Sequence, residues 1–368
     1  MAAPITNRAV WQDAAGVPGV VRASPLPGTD AELGDRKVLV KVHAWAVNPC
    51  DHMLQDRELG KYPAILGCDV AGTVSAAAAA ASSRFRVGDR VFGVAANNGF
   101  QDYVALEDRL AAHIPGDMSF RDAVVFGLAG ATAAMFLFGD GYLGLDLPGL
   151  GAPRKGKSVL VWGGSSAVGG NAVQLAAAAG YDVVATCSRK NFDYVRRLGA
   201  VQVFDYKDAD VAGKVAGELD KGDCAGIFVA AGSRDGNVAA CRIAAASKQG
   251  LKLASSGFIG NLGDVPAGVD VRQPTAATFK PFPDAWFETT PATFEGYLPE
   301  ALSRGAYKVA PPPLVVNRRG LDGIQEAVNF MRVVSGGGLD GIKEAVDRTS
   351  EGGRGDGISP VKLVVERP

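Results

Sequence analysis

Three histidines and five cysteines are all the soft metal ligands that 368 residues provide, and no two cysteines form a C-x-x-C pair. Cys50, Cys68, Cys187, Cys224 and Cys241 are widely spaced and odd in number, which argues against a disulfide framework and fits reduced thiols. Charge of one sign is equally scarce: 38 Lys and Arg face 39 Asp and Glu, a net −1 without basic clusters. That balance leaves no electrostatic case for nucleic acid or for an acidic membrane surface. Long apolar runs are missing too. None reaches the roughly 20 residues of a membrane span, and Met1 to Arg22 holds no apolar core of the signal-peptide kind. The expectation is a cytoplasmic protein with neither nucleic acid nor membrane as partner.

What is present is apolar bulk: 47% of the residues are hydrophobic, enough for sizeable cores, and the length suggests two domains. The most informative stretch is Val159-Leu160-Val161-Trp162-Gly163-Gly164-Ser165-Ser166-Ala167-Val168-Gly169. Val159 to Trp162 read as a strand buried on both faces, and Ala167 to Ala179 carry small and apolar residues at helical spacing. A strand that enters a helix through such a turn fits a β-α crossover. Backbone N–H groups at Gly163 and Gly164 are expected to approach a pyrophosphate at the helix start, with Gly169 letting helix and strand pack closely. Ser166 replaces the middle glycine of the strict dinucleotide fingerprint and adds a hydroxyl.

An acid about 20 residues after the glycines would bind the ribose 2′-hydroxyl of NAD. None is there. The second strand, Asp182 to Cys187, ends in Thr186-Cys187-Ser188-Arg189-Lys190-Asn191, which offers cations to a 2′-phosphate and favours NADPH. The plainer alternative is that Arg189 and Lys190 open a solvated helix over Asn191 to Leu198.

The first third reads as short strands, Lys37 to Ala44, Val70 to Ser75, Arg90 to Val94 and Gln101 to Ala105, in the manner of an antiparallel barrel. From Lys157 strand and helix alternate, as in a doubly wound parallel sheet. Its later strands are expected at Val201 to Phe204, Ala225 to Ala230 and Leu251 to Ser255, with the sheet ending near Gly257. Gln273 to Pro299, rich in Pro, Thr and aromatics, either lines an apolar pocket or packs as a surface loop before a helix over Leu298 to Arg304. Gly320 to Val328 recurs as Gly338 to Val346, an 18-residue offset that keeps a helical face in phase.

With Lys37 to Val42, Val47-Asn48-Pro49-Cys50-Asp51, Leu66-Gly67-Cys68-Asp69-Val70-Ala71-Gly72, Val87-Gly88-Asp89-Arg90-Val91-Phe92-Gly93 and the Gly163 to Gly169 loop in order, the whole chain resembles the medium-chain dehydrogenase/reductase superfamily. The resemblance is to its zinc-free quinone oxidoreductase branch and to fungal trans-acting enoyl reductases of polyketide pathways. It implies an α/β fold: a GroES-like β-barrel catalytic domain over 1–127 and 308–368, and a Rossmann NADP-binding domain over 128–307. NADPH is expected across the cleft between them. The catalytic zinc positions of zinc-dependent relatives match Asn48, Cys68-Asp69 and Leu128, and Leu128 cannot ligate, so no metal is expected. An improvised set of Cys50, His52, Cys68 and Asp69 is the less favoured alternative, His43 and His113 being scattered.

The same resemblance assigns coenzyme contacts to Asn48, Pro49, Cys50 and Asp51, to Ser165, Ser166, Ala167 and Val168, to Ser188, Arg189, Lys190 and Asn191, to Tyr206, and to Ile358 and Ser359. It sets Asn48 and Thr132 at the nicotinamide as catalytic residues. Phe126, Gly127, Ala129, Ala133, Phe279 and Phe282 are expected around the substrate. Cys50 departs from the family, where a plain aliphatic is common. The implied reaction is reduction of an activated C=C bond, with a small-molecule enone, quinone or acyl thioester as substrate, an acyl carrier protein or polyketide synthase as partner and a monomeric or homodimeric state. Two other readings stay open: a zinc-free quinone or carbonyl reductase or alcohol dehydrogenase-like oxidoreductase, and a catalytically silent NADPH-binding protein.

Overall fold

The computed structural model describes residues 6–28, 36–58, 61–78, 84–95, 98–231, 234–257, 265–274, 284–335 and 361–368. The chain divides into two compact units, one formed by Met1–Leu128 with Pro312–Pro368 and the other by Ala129–Pro311.

The first unit is built on the eleven-residue strand Lys37–Val47, whose Val38, Val40, Val42, Trp45 and Val47 are buried. β-branched and aromatic residues along a pleated strand favour this structure because they pack against both neighbours. The seven-stranded sheet runs Pro313–Asn317, Lys362–Glu366, Lys37–Val47, Asp69–Ala77, Arg90–Val94, Ala111–His113, with Tyr103–Glu107 also pairing the central strand. Two registers bring polar side chains together at one end of the central strand. Val47 pairs antiparallel with Leu363, and Ala46 pairs antiparallel with Asp69. One step further along the first ladder brings Asn48 opposite Lys362. Residues 324–335 are helical and press Ile324, Ala327, Val328 and Met331 into the core of this sheet. A smaller sheet, Val20–Ser24, Asn7–Gln12 and Ala64–Ile65, was not foreseen from the sequence pattern. The second copy of the repeat, Gly338 to Val346, lies outside the described residues.

The second unit is a six-stranded sheet in which every pairing is parallel, ordered Ala200–Asp205, Asp182–Cys187, Lys157–Trp162, Asp223–Val229, Lys252–Ser255, Asp270–Arg272. In chain order that is 3-2-1-4-5-6, the doubly wound arrangement whose switch point lies beyond the first strand. The sheet does not end near Gly257: the three-residue Asp270–Arg272 adds a sixth strand at the edge. Helices Ala167–Ala178, Phe192–Arg197, Val211–Leu219 and Arg234–Ala246 follow successive strands. Leu160, Val184, Val215, Leu219, Ile227, Ile243 and Leu253 form the core they share.

The aromatic stretch before Pro299 is helical from Asp284 onward. Asp284–Pro291 leads into a wider π-turn over Ala292–Tyr297 and then Leu298–Ser303. Trp286, Phe294 and Tyr297 are buried, so these rings serve packing, while Phe279 and Phe282 lie outside the described residues. Contrary to the sequence expectation, Phe120–Phe138 is by length and composition alone long and apolar enough for a membrane span, although 72% of its apolar window is buried inside the protein.

Candidate active site

At the switch point the turn after Trp162 is held by the neighbouring strand. Thr186 accepts the Gly163 N–H through its hydroxyl at 3.1 Å and the Gly164 N–H through its carbonyl at 2.8 Å. Those two donors, expected to approach a pyrophosphate, are thereby engaged inside the protein. The open donors are one step further on. Ser166 caps the following helix, its hydroxyl accepting the Gly169 N–H at 2.9 Å and its carbonyl accepting the Gly170 N–H. The first-turn N–H groups of Ala167 and Val168 have no intrahelical acceptor, because helix geometry supplies none there. Open donors with a positive dipole end behind them can hold an anion. Gly169 fits only without a side chain, since a Cβ there would lie 2.1 Å from the Gly163 carbonyl oxygen.

Ser188, Arg189, Lys190 and Asn191 follow the second strand as a short 3-10 turn. Asn191 is buried and donates to the Ser188 hydroxyl at 3.1 Å. Arg189 is 79% exposed and donates to Asp205 at 3.0 Å. Asp205 ends the third strand and pairs in register with Cys187. An acid therefore stands beside the second strand after all, brought by its neighbour and ion-paired to the guanidinium. Tyr206, next to it, is exposed. Thr132 is half-buried, and Ala129 and Ala133 are buried, on the helix Gly127–Phe138.

In the other unit a second polar cluster surrounds Asn48. Lys362 is only 4% exposed, and its ammonium lies 2.7 Å from Asp69, which is wholly buried. The same ammonium donates to Asn48 Oδ1, and Asn48 Nδ2 donates to Asp69 Oδ2 at 2.9 Å. Asp69 Oδ1 accepts the Leu128 N–H at 2.5 Å. Gly127 leaves room for that carboxylate: a Cβ there would lie 2.4 Å from Asp69 Oδ1. Asn48 is thus fixed at both ends of its amide, and its own N–H is accepted by Asp51 at 2.7 Å. Lys362 went unrecognised in the sequence because, at the start of a short strand, it reads as a solvated strand end. Phe126 is fully buried against Phe92, with ring centroids 5.6 Å apart, and Gly127 is buried beside it. Ile358 and Ser359 lie outside the described residues.

The positions that hold catalytic zinc in zinc-dependent relatives do not fit a metal here. Leu128 has no donor atom, and both Asp69 oxygens are taken by Lys362, Asn48 and the Leu128 N–H. Neither does the set of Cys50, His52, Cys68 and Asp69 assemble. What comes together instead is Cys50, Asp51 and Cys68, with ligand atoms all within 4.8 Å of one another. His52 faces Asp56 at 3.9 Å, His43 stacks on Phe120, and His113 contacts the Arg84 carbonyl at 3.0 Å. Burial pushes the Asp51 carboxyl up to about 7, against the pull of the Asn48 N–H.

A barrel-type sheet unit and a 3-2-1-4-5-6 unit together make the architecture of the two-unit dehydrogenase class. Residues 34–136 match the Alcohol dehydrogenase GroES-like domain family. The chain is 37% identical over 343 residues to the dehydrogenase azaJ of Aspergillus niger, covering 87% of this chain and 95% of that one. It is 34% identical over 354 residues to the trans-enoyl reductase himH of Aspergillus japonicus, covering 90% and 95%. The native structure of mycobacterial Rv1454c complexed with NADPH shares the fold with a TM-score of 0.64 at 22% identity, over 98% of this chain and 99% of that one. The chain belongs to the medium-chain dehydrogenase/reductase superfamily, with its GroES-like and Rossmann architecture.

Proposed function

We propose that this protein is an NADPH-dependent reductase of activated C=C bonds, acting in the cytoplasm on a small enone or an acyl thioester, free or carried on an acyl carrier protein. The observation that carries the reading is the Ser166-capped helix start with Arg189 at the end of the next strand, a site shaped for a phosphorylated dinucleotide. Likeness to a trans-enoyl reductase over nearly the whole chain supports the reaction type, and a structural neighbour with NADPH bound supports the coenzyme.

A bound nicotinamide coenzyme supplies the hydride. The chain's own residues do the rest. The Ala167 and Val168 N–H groups bind phosphate, and Arg189, released from Asp205, meets the 2′-phosphate. Lys362 and Asp69 hold the Asn48 amide in one orientation, which makes Asn48 a positioning residue for its turn. The Thr132 hydroxyl is the donor that the family resemblance sets at the nicotinamide. Without a ligand set at the zinc positions, the Lewis-acid route to alcohol oxidation has no support there. Conjugate reduction asks less: a positioned hydride donor and one hydrogen bond to the carbonyl.

The test is a titration with NADPH and NADH followed by nicotinamide fluorescence, then coenzyme oxidation with enones, quinones and acyl thioesters. Expected are tighter binding of NADPH by roughly tenfold or more, about 1.4 kcal/mol, and a saturated product from enones or thioesters. The Arg189→Ala change should remove most of that preference and leave NADH binding as it was. Equal affinity for both coenzymes defeats the NADPH assignment. Turnover of quinones alone, or binding with no turnover, defeats the C=C reductase reading.

A further inference from the structure

Cys50 stands in the Asn48 to Asp51 turn without a part in the ammonium network. It is not isolated. The Cys68 thiol is hydrogen-bonded to Cys50, and Asp51 completes a group whose atoms lie within 4.8 Å. The two sulfurs come from separate elements: Cys50 from the first turn of the helix Pro49–Gln55, Cys68 from the residue before the strand Asp69–Ala77. Their exposure differs. Cys50 is half-buried, whereas Cys68 is 6% exposed. Cys50 is thus the more accessible of the two residues, and Cys68 lies in contact with it.

We propose that Cys50 and Cys68 are a peroxide-reactive dithiol that closes to a reversible intramolecular disulfide. The Cys50 thiolate attacks one oxygen of hydrogen peroxide, the O–O bond breaks, and the departing hydroxide takes up the thiol proton as water. Cys50 is left as a sulfenic acid. The Cys68 sulfur then displaces the sulfenic hydroxyl, which leaves with the Cys68 proton as a second water. Two thiols are oxidised and one peroxide is reduced to two waters. Its bond to Cys50 and burial raise the Cys68 thiol, so the more accessible Cys50 is the sulfur that meets peroxide, and Cys68 follows because it is already in contact. The link joins the segment of Asn48 to the segment of Asp69, so oxidation restrains the turn that the buried ammonium organises. The dithiol chemistry is independent of the reductase reading.

The full chain, fully reduced, is treated with hydrogen peroxide, quenched with catalase, and its thiols are counted in denaturant. The count should fall from five to three, with a mass loss of about 2 Da and a non-reducing peptide map joining Cys50 to Cys68, and dithiothreitol should restore all five. Cys50→Ala should keep its four thiols. Cys68→Ser, which leaves the half-buried residue in place, should stop at a Cys50 sulfenic acid that dimedone traps. Five thiols surviving a peroxide dose that oxidises free dithiothreitol would overturn the proposal. So would an equal loss in Cys50→Ala, or a map that joins other cysteines.

Discussion

The two units organise polar groups in opposite ways. In the parallel-sheet unit the candidate phosphate site is local: Ser166, Ala167, Val168 and Gly169 follow one another, and its open donors are backbone groups. In the GroES-like unit the polar centre is assembled from distant pieces, Asn48, Asp69 and Lys362, the first and the last 314 positions apart. A backbone site tolerates changes in side chains around it but not in the turn itself. A buried charge network behaves the other way, since each member is needed to neutralise the others.

The sharpest way to break the comparison is Lys362→Met. It leaves the Asp69 carboxylate fully buried without its cation, a change that costs roughly 3–5 kcal/mol in comparable buried pairs. Urea unfolding should show the loss. Adding Asp69→Asn should recover part of it, because removing both charges is far less costly than removing one. A single Lys362→Met variant as stable as the parent would mean that the ion pair is not the organising centre of this unit.

Legibility in the sequence follows the same division. The strand, glycine turn and helix at 159–179 are a pattern of neighbours, and the structure has them within a residue or two, as Lys157–Trp162 and Ala167–Ala178. The roles of the Gly163 and Gly164 N–H groups were not legible, because Thr186 on the next strand takes both. Asp205 was hidden for the same reason: register, not sequence distance, sets it beside Cys187 and Arg189. Lys362 gave the weakest signal of all, one cation at the start of Lys362–Glu366, indistinguishable from a solvated strand end until the pairing of Val47 with Leu363 is known. The Asp270–Arg272 strand has only three residues, two of them exposed and charged, and lacks the apolar run by which a strand is read.

The backbone site is tested by Gly169→Ala. A methyl group 2.1 Å from the Gly163 carbonyl oxygen forces the turn or the helix to move, an overpacking cost of roughly 1–3 kcal/mol. The expected result is a lower unfolding midpoint together with NADPH affinity reduced by at least about tenfold, since the Ala167 and Val168 N–H groups shift with the helix start. Gly170→Ala is the useful contrast. Its Cβ would meet nothing nearer than 3.2 Å, at the end of the Leu198 side chain, so both losses should be smaller. Equal effects from the two substitutions would remove the special status of the turn.

The smallest effect is expected from His43, on the central strand of the GroES-like unit. Its ring stacks on Phe120 with centroids 4.6 Å apart and lies 3.3 Å from the Thr73 hydroxyl. Burial first, then the positive charges of Arg367, Lys41 and Arg90, hold its pKa below the ordinary histidine value. The sign follows from linkage. Below the unfolded-state value near 6.5 the unfolded chain takes up a proton that the folded chain resists, so this contribution to stability is complete above that pH and is lost as pH falls towards the folded-state value. His43→Phe keeps an aromatic ring against Phe120 and removes the titration. Unfolding free energies measured from neutral to mildly acid pH should fall less steeply in this variant than in the parent, and parallel curves would show that His43 titrates alike in both states.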